Sequence, residues 1–268
     1  MKKNIIYLKL GGSLVTDKRK AYTFNESIVR QVVSQIAECL RERSDIQLVL
    51  GNGAGSFAHQ SATKYRLHLG ATEEEGIYGS CATHTDAAQL NQLIVKILLE
   101  SKIPVYTLQP SAFILSSSRS TKHLNLTVFE QIITNNMIPF VYGDVIIDTD
   151  IGATIYSTDR IFREIAEKHA GTHFTPGLII HAGNYDGVMD QNGQIIPTIT
   201  RENYNEVKKS LYRSDVIDVT GGMEQKVEEM LHLVDHKISS IIINGKKKGL
   251  IKQTLLGDIS SGTYITYK

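Results

Sequence analysis

The chain has 268 residues, 41% hydrophobic and 21% charged, and its 29 Lys and Arg against 28 Asp and Glu leave a formal net charge of +1. That balance excludes the strongly basic surface of a nucleic-acid binder, and two isolated cysteines, Cys39 and Cys81, exclude a disulfide framework or a structural zinc site. No apolar run approaches the length of a membrane span, and the one before Lys9 is too short for a signal-peptide core, so no membrane partner and a reducing cytoplasm are expected.

Ile5 to Leu8 reads as a buried strand, stopped by Gly11-Gly12-Ser13 in a turn where backbone N–H groups can approach a ligand closely. Lys9 and Lys18 bracket that turn. Thr23 and Glu26 have the spacing of a capping box, and Ile28, Val32, Ile36 and Leu40 follow on one helical face. The strand Ile46 to Leu50 then runs into Gly51-Asn52-Gly53-Ala54-Gly55-Ser56-Phe57-Ala58-His59. A second amphipathic helix is predicted between Thr83 and Glu100, a strand over 103–108, and a third helix capped by Thr127 and Glu130. The strand Ile138 to Tyr142 stops at Gly143-Asp144, and 145–147 with 153–156 read as a hairpin. A helix over 158–169, a strand over 178–181, a turn-rich stretch over 183–193, a helix after Gly221-Gly222 and a strand over 238–243 complete the pattern. Such alternation predicts a mostly parallel sheet with helices on both faces, in one unit with two lobes.

Ligands of such sheets bind at the carboxyl ends of the strands. Four of those ends, at Gly11-Gly12-Ser13, Gly53-Ala54-Gly55, Gly143-Asp144 and Asp186-Gly187, converge on chemistry suited to two phosphate-bearing ligands. There is no G-x-x-x-x-G-K-[ST] loop. Gly53 to Ala58 also matches the dinucleotide fingerprint G-x-G-x-x-G/A, with Glu73 to Glu75 near the acidic position, but it follows the second strand where that fingerprint usually follows the first. His59 can donate to a phosphate or cap the helix after it. His232 and His236 have a metal-binding spacing without the Glu of H-E-x-x-H, and read as a surface pair.

On Lys9 to Ser13 with Thr16-Asp17-Lys18, Gly53 to His59, Tyr142 to Val145, Asp186-Gly187-Val188 and Asp218 to Met223 with Lys226, the chain resembles the amino acid kinase family nearly end to end. Within that family it is most similar to the isopentenyl phosphate kinases. The resemblance implies a three-layer αβα sandwich, with residues 1–175 binding the acceptor and forming a homodimer and residues 176–268 binding ATP. It implies that Lys9, Gly11, Gly12 and Ser13 hold the β- and γ-phosphates, that Gly55, Asp186, Gly222 and Lys226 serve the nucleotide, and that Lys18 stabilises the transferring group. Ala54, Gly55, His59, Gly143 and position 158 would form the acceptor site, and Asp144 would orient the lysines.

Three departures bear on the acceptor and the chemistry. Thr158 stands where the family has a glycine, Asn184 where it has an aspartate, and Asn52 and Ala58 replace a histidine and a glycine around the second loop. Ser157-Thr158-Asp159-Arg160 also resembles the matching stretch of fosfomycin kinase, leaving a phosphonate acceptor as an alternative, and a nucleotide-binding regulator without activity is a second alternative. A phosphate monoester is already an anionic nucleophile at neutral pH, its second pKa being about 6, so a site of lysines and glycines with no general base suffices. Mg²⁺ needs no carboxylate cage of its own if it rides on ATP phosphates and water.

Lys18→Ala is expected to abolish turnover with ATP affinity nearly unchanged, because a charge acting on the transferring group contributes mainly in the transition state. Lys9→Ala is expected to damage both. Steady-state kinetics beside ATP titration calorimetry decides; equal loss of affinity and turnover on Lys18→Ala would make that lysine a binding residue only.

Overall fold

The computed structural model describes residues 3–17, 19–211 and 222–268; Lys18 and the stretch from Asp218 to Gly221 lie outside these residues. The chain opens with β1 (Asn4–Leu10), a helical turn α1 (Gly12–Val15), α2 (Glu26–Glu42), β2 (Ile46–Asn52), α3 (Gly55–Lys64) and α4 (Glu74–Glu100). It continues through β3 (Val105–Thr107), β4 (Ile114–Ser117), β5 (Ser120–Leu124), α5 (Thr127–Thr134), β6 (Ile138–Tyr142), β7 (Asp144–Asp148), β8 (Gly152–Tyr156) and α6 (Thr158–Lys168). The last part holds β9 (Leu178–Gly183), β10 (Thr198–Ile199), α7 (Tyr204–Ser210), α8 (Gly222–Val234), β11 (Ser240–Asn244), α9 (Leu250–Leu255) and β12 (Thr263–Ile265).

Among the described residues the main sheet has the order β10-β12-β11-β9-β1-β2-β6-β3, and the pairs from β11 to β3 are all parallel. All of those carboxyl ends therefore lie on one edge. The pleat sends alternate residues to opposite faces, and the two faces carry different cores. Ile6, Leu8 and Leu10 of β1 join Leu48 and Leu50 of β2 and the buried sides of α2 and α4. Ile5 and Tyr7 join Val49, Val141, Ile179 and the residues of α5 and α6. Helices on both faces make the three-layer αβα sandwich that the sequence predicts.

This alternation decides where Lys9 goes. It follows Ile5 and Tyr7 on the α6 face, and β1 is flanked on both sides by paired strands, so the lysine is only 6% exposed. Gly51, its register partner on β2, leaves the space that α6 fills: a Cβ there would stand 2.7 Å from the Thr158 methyl and 2.8 Å from the Phe162 ring. The first turn of α6 is thereby seated on the end of β1.

Several boundaries differ from the sequence reading, each for a local reason. Thr23 does not cap α2. Its hydroxyl donates to the Lys20 carbonyl at 2.9 Å and its N–H to Ser56 Oγ at 3.1 Å, and the helix starts at Glu26. Thr127 lies inside α5, its N–H bonded to Asn125 Oδ1 at 3.1 Å, while the Glu130 carboxylate faces His169 Nε2 at 3.2 Å. Helix α4 begins at Glu74, well before Thr83, because its first turns leave Ile77 and Tyr78 exposed and bury only Gly79 against Tyr65, so no apolar stripe marks them. The predicted hairpin is β7-β8, but it belongs to a second sheet of order β5-β4-β7-β8 whose other hairpin was not foreseen. Strand β12 turns the end of the main sheet antiparallel.

Phe162 is fully buried, edge-on to Tyr7 with ring centroids 5.1 Å apart. Phe162→Ala is expected to cost roughly 3–5 kcal/mol. In urea unfolding this appears as a lowered midpoint with unchanged slope; a loss much below that range would show that α6 is not held down by this ring.

Candidate active site

The carboxyl edge opens into a cavity of about 510 Å³. Of the predicted residues, Lys9, Gly11, Gly12, Ser13, Ala54, Gly55, His59, Gly143, Asp144, Thr158 and Lys226 line it, while Gly222 and Asp186 do not. Gly222 opens α8 with φ +66° and, among the described residues, nothing within 4 Å of where a Cβ would stand, and Asp186 accepts from Asn244 Nδ2 at 2.8 Å and pairs with Lys247 at 2.9 Å, which hold its carboxyl below the usual range.

The glycine loops meet backbone to backbone. A Cβ on Gly12 would lie 2.7 Å from the Gly55 Cα, and one on Gly53 would lie 2.7 Å from the Gly12 N. Any side chain would push the loops apart. Thr16 clamps them, its Oγ1 donating to the Gly12 carbonyl at 2.7 Å and accepting from the Ser56 N–H at 2.9 Å. On the other side the Gly11 N–H donates to the Ala182 carbonyl at 2.7 Å. Asn184 adds a tie by donating its Nδ2 hydrogen to the Ser13 carbonyl. A carboxylate has no hydrogen to give, so this bond accounts for Asn184 where the resemblance leads one to expect aspartate.

Among the described residues, the carboxylate paired with the buried lysine is Asp159, not Asp144. Lys9 Nζ forms an ion pair with Asp159 Oδ2, both side chains being almost fully buried, and Asp159 Oδ1 lies 3.0 Å from His181 Nδ1. Burial by itself would raise the Asp159 pKa, but Lys9, the hydrogen bond to His181 and the more distant Lys226 together hold it far below the usual range. Asp144 is engaged elsewhere. It contacts His84 Nδ1 at 2.7 Å and accepts from the backbone N–H groups of Ser111 at 3.1 Å and Val145 at 2.8 Å, joining α4 and the loop before β4 to β7. For Lys9, which pairs with Asp159, the expectation that Asp144 orients the lysines is therefore corrected.

Thr158 differs from expectation in its contacts. Its hydroxyl donates to the Asn52 carbonyl at 2.6 Å, securing the start of α6 to the end of β2. His59, on α3, lines the cavity beside Ala58, Ala62 and Leu67, and Val145 completes an apolar wall. The donor set fits a polyphosphate: ammonium groups of Lys9 and Lys226 beside loops that admit no Cβ. Among the described residues no group of three or more His, Cys, Asp or Glu could hold a metal.

A model of the amino acid kinase family matches residues 4–244. The chain belongs to that family. It is 32% identical to isopentenyl phosphate kinase of Methanothermobacter thermautotrophicus, covering 98% of this chain and 100% of that protein. Identity to isopentenyl phosphate kinase of Methanocaldococcus jannaschii is 28%, over 97% of this chain and 98% of that one. In solved structures, an isopentenyl phosphate kinase superposes with a TM-score of 0.81 at 26% identity, covering 98% of this chain and 100% of the other. The Thermoplasma acidophilum isopentenyl phosphate kinase product complex shares the fold with a TM-score of 0.76 at 23% identity, over 98% and 100% of the two chains.

In this member of the amino acid kinase family, sequence reading missed Asp159 and His181. Both had a signal. Asp159 stands in the first turn of a helix capped by Ser157, whose Oγ accepts from the Arg160 N–H at 3.2 Å, and an acidic residue is favoured there. His181 lies one strand from Lys9 and in register with it, at the end of a face whose earlier positions, Ile5, Tyr7, Val49 and Ile179, are apolar.

Two measurements probe these pairs. In a double-mutant cycle, Lys9→Met and Asp159→Asn are each expected to destabilise by roughly 3–5 kcal/mol, with the double variant much closer to wild type, because each single change strands a buried polar partner. Additive losses would dissolve the pair. Asp144 raises the His84 pKa through its hydrogen bond, so the extra stability of this pair is complete below the ordinary 6.5 and fades as pH rises through the raised value. The melting-temperature gap between wild type and His84→Ala should therefore narrow on the alkaline side; a gap that widened with pH would reverse the assignment.

Proposed function

We propose that this chain transfers the γ-phosphoryl group of ATP to isopentenyl phosphate. The observation that carries the reading is the Lys9 ammonium, buried against Asp159 at the head of two interlocked glycine loops, in a cavity that continues past His59 along an apolar wall. A polyanion suits the first part and a short hydrocarbon tail the second. The reading places the nucleotide on the side of residues 176–268 and the acceptor on the side of residues 1–175, in a cytoplasmic homodimer.

The acceptor's own phosphate oxygen attacks the γ-phosphorus, a P–O bond forms, and the bond to the bridging oxygen breaks to release ADP and isopentenyl diphosphate. That oxygen is already ionised at neutral pH, so no side chain need remove a proton. The difficulty lies in joining two polyanions. Lys9, held in place by Asp159, would stabilise the charge on the phosphates, with Lys226 across the cavity and Lys18 on the transferring group. His59 would hold the acceptor phosphate, with Gly143 and the backbone of Ala54 and Gly55 beside it. Mg²⁺ carried on the ATP phosphates would supply further neutralisation.

A coupled ADP-release assay with isopentenyl phosphate tests the proposal. His59→Ala is expected to raise the acceptor KM, or lower turnover, by roughly tenfold to a hundredfold, the worth of a charge-assisted hydrogen bond, while the ATP KM stays put. Turnover of a phosphonate by a wild type inert toward isopentenyl phosphate would replace this substrate with a fosfomycin-like one.

A further inference from the structure

His181 has no part in the mechanism above, yet it is a buried polar group of the cavity. It sits on β9 at 7% exposure, paired in register with Lys9 on one side and Ile242 on the other. Its Nδ1 meets Asp159 Oδ1 at 3.0 Å. Its Nε2 is buried and, among the described residues, has no hydrogen-bond partner. The ring lines the cavity.

Hydrophobic packing does not call for an imidazole here, since the positions further back on this face, Tyr7, Val49 and Ile179, form an apolar cluster, while Lys9 and Asp159 are the polar groups beside the ring. Elementary bookkeeping fixes its hydrogens. An ionised carboxylate can only accept, so the hydrogen between His181 and Asp159 belongs to Nδ1, and Nε2 of the neutral ring is a bare lone pair. Burial, with Lys9 and Lys226 nearby, keeps the ring neutral by pushing its pKa below the ordinary 6.5 against the pull of Asp159. A buried lone pair facing a cavity needs a donor. ATP phosphates offer none, and Lys9 is paired with Asp159. Lys226, on α8, lines the same cavity as His181, and among the described lysines it and Lys9 are the ones whose charge bears on both Asp159 and His181.

We propose that His181 is a positioning residue of phosphoryl transfer: protonated on Nδ1, it braces the Asp159 carboxylate that holds Lys9, and with nucleotide bound its Nε2 accepts a hydrogen bond from the Lys226 ammonium. One buried imidazole would thus set the positions of two lysines borne on different elements, through a carboxylate on one side and directly on the other. The inference rests on the phosphotransferase reading of the same cavity, but not on the identity of the acceptor.

The test combines spectroscopy with kinetics on the full chain. In ¹⁵N-histidine-labelled wild type, His181 is expected to show a protonated Nδ1 and an unprotonated Nε2. A non-hydrolysable ATP analogue should move the Nε2 resonance toward the hydrogen-bonded range, and the same analogue should fail to do so in Lys226→Met. A protonated Nε2, or a shift that survives Lys226→Met, overturns the proposal. In kinetics, His181→Leu is expected to lower kcat by roughly tenfold to a hundredfold with the acceptor KM unchanged, and His181→Asn, which restores a donor to Asp159 without the distal lone pair, to recover part of the loss. Wild-type kcat in a folded His181→Leu variant also overturns it. If that variant does not fold, the spectra of wild type and Lys226→Met decide. Should wild type pass no phosphate to isopentenyl phosphate, the choice of substrate falls, and the ¹⁵N spectra still judge His181.

Discussion

A lysine buried inside a sheet next to a carboxylate at the start of a helix is the constraint on which the rest of this site depends. Taking both charges out of water is costly, and their attraction offsets that cost only when geometry and further hydrogen bonds are good. Here the geometry is imposed from several directions. The strand pleat aims Lys9 at the α6 face, Gly51 lets α6 approach, and Thr158 and Phe162 lock its first turn in place. Asp159 then has little freedom, which is what a fixed electrostatic device requires.

The glycine loops express a second constraint, that of close approach. Gly12, Gly53 and Gly55 touch through their backbones, and Thr16 closes the junction with two hydrogen bonds. Ordinary phosphate loops use glycine so that the ligand can approach. In this chain the glycines also let two strand ends approach each other, so a substitution would disturb the loop pair before any ligand arrived. Asn184 belongs to the same arrangement, since it joins the β9 end to the Ser13 carbonyl with a hydrogen that an aspartate lacks.

These constraints fit the chemistry of the proposed reaction. When both reactants are polyanions and the attacking oxygen is already ionised, the protein contributes position and positive charge rather than proton transfer. Preorganised lysines are more useful than mobile ones, because they need no reorganisation as charge shifts during transfer. The apolar wall from Ala58 to Leu67 and Val145 contributes differently, by shape and by excluding water around the organic part of an acceptor.

Local pattern carried much of the plan. The alternation of apolar strands and amphipathic helices determined an αβα sandwich, and glycines at strand ends placed the site on the carboxyl edge, because both signals arise from neighbours in sequence. The capping boxes at Thr23 and Thr127 do not form because their groups find other partners: the Thr23 N–H goes to Ser56, the Thr127 N–H goes to Asn125 two residues before it, and the Glu130 carboxylate turns to His169. The front of α4 was invisible because it buries almost nothing apolar. Among the site residues, Lys9, the glycines and His59 stood out by motif. That Asp159 rather than Asp144 faces Lys9, and that His181 stands beside them, depended on which helix packs over which strand end. Those pairings join residues about 150 and 20 positions apart in a chain whose local pattern treats each alone, a separation that only loop closure and packing bridge. The sequence by itself determined the fold class and the edge where chemistry occurs; the tertiary structure decided which carboxylate meets which lysine, because burial of a charge is settled by the neighbours that surround it in space.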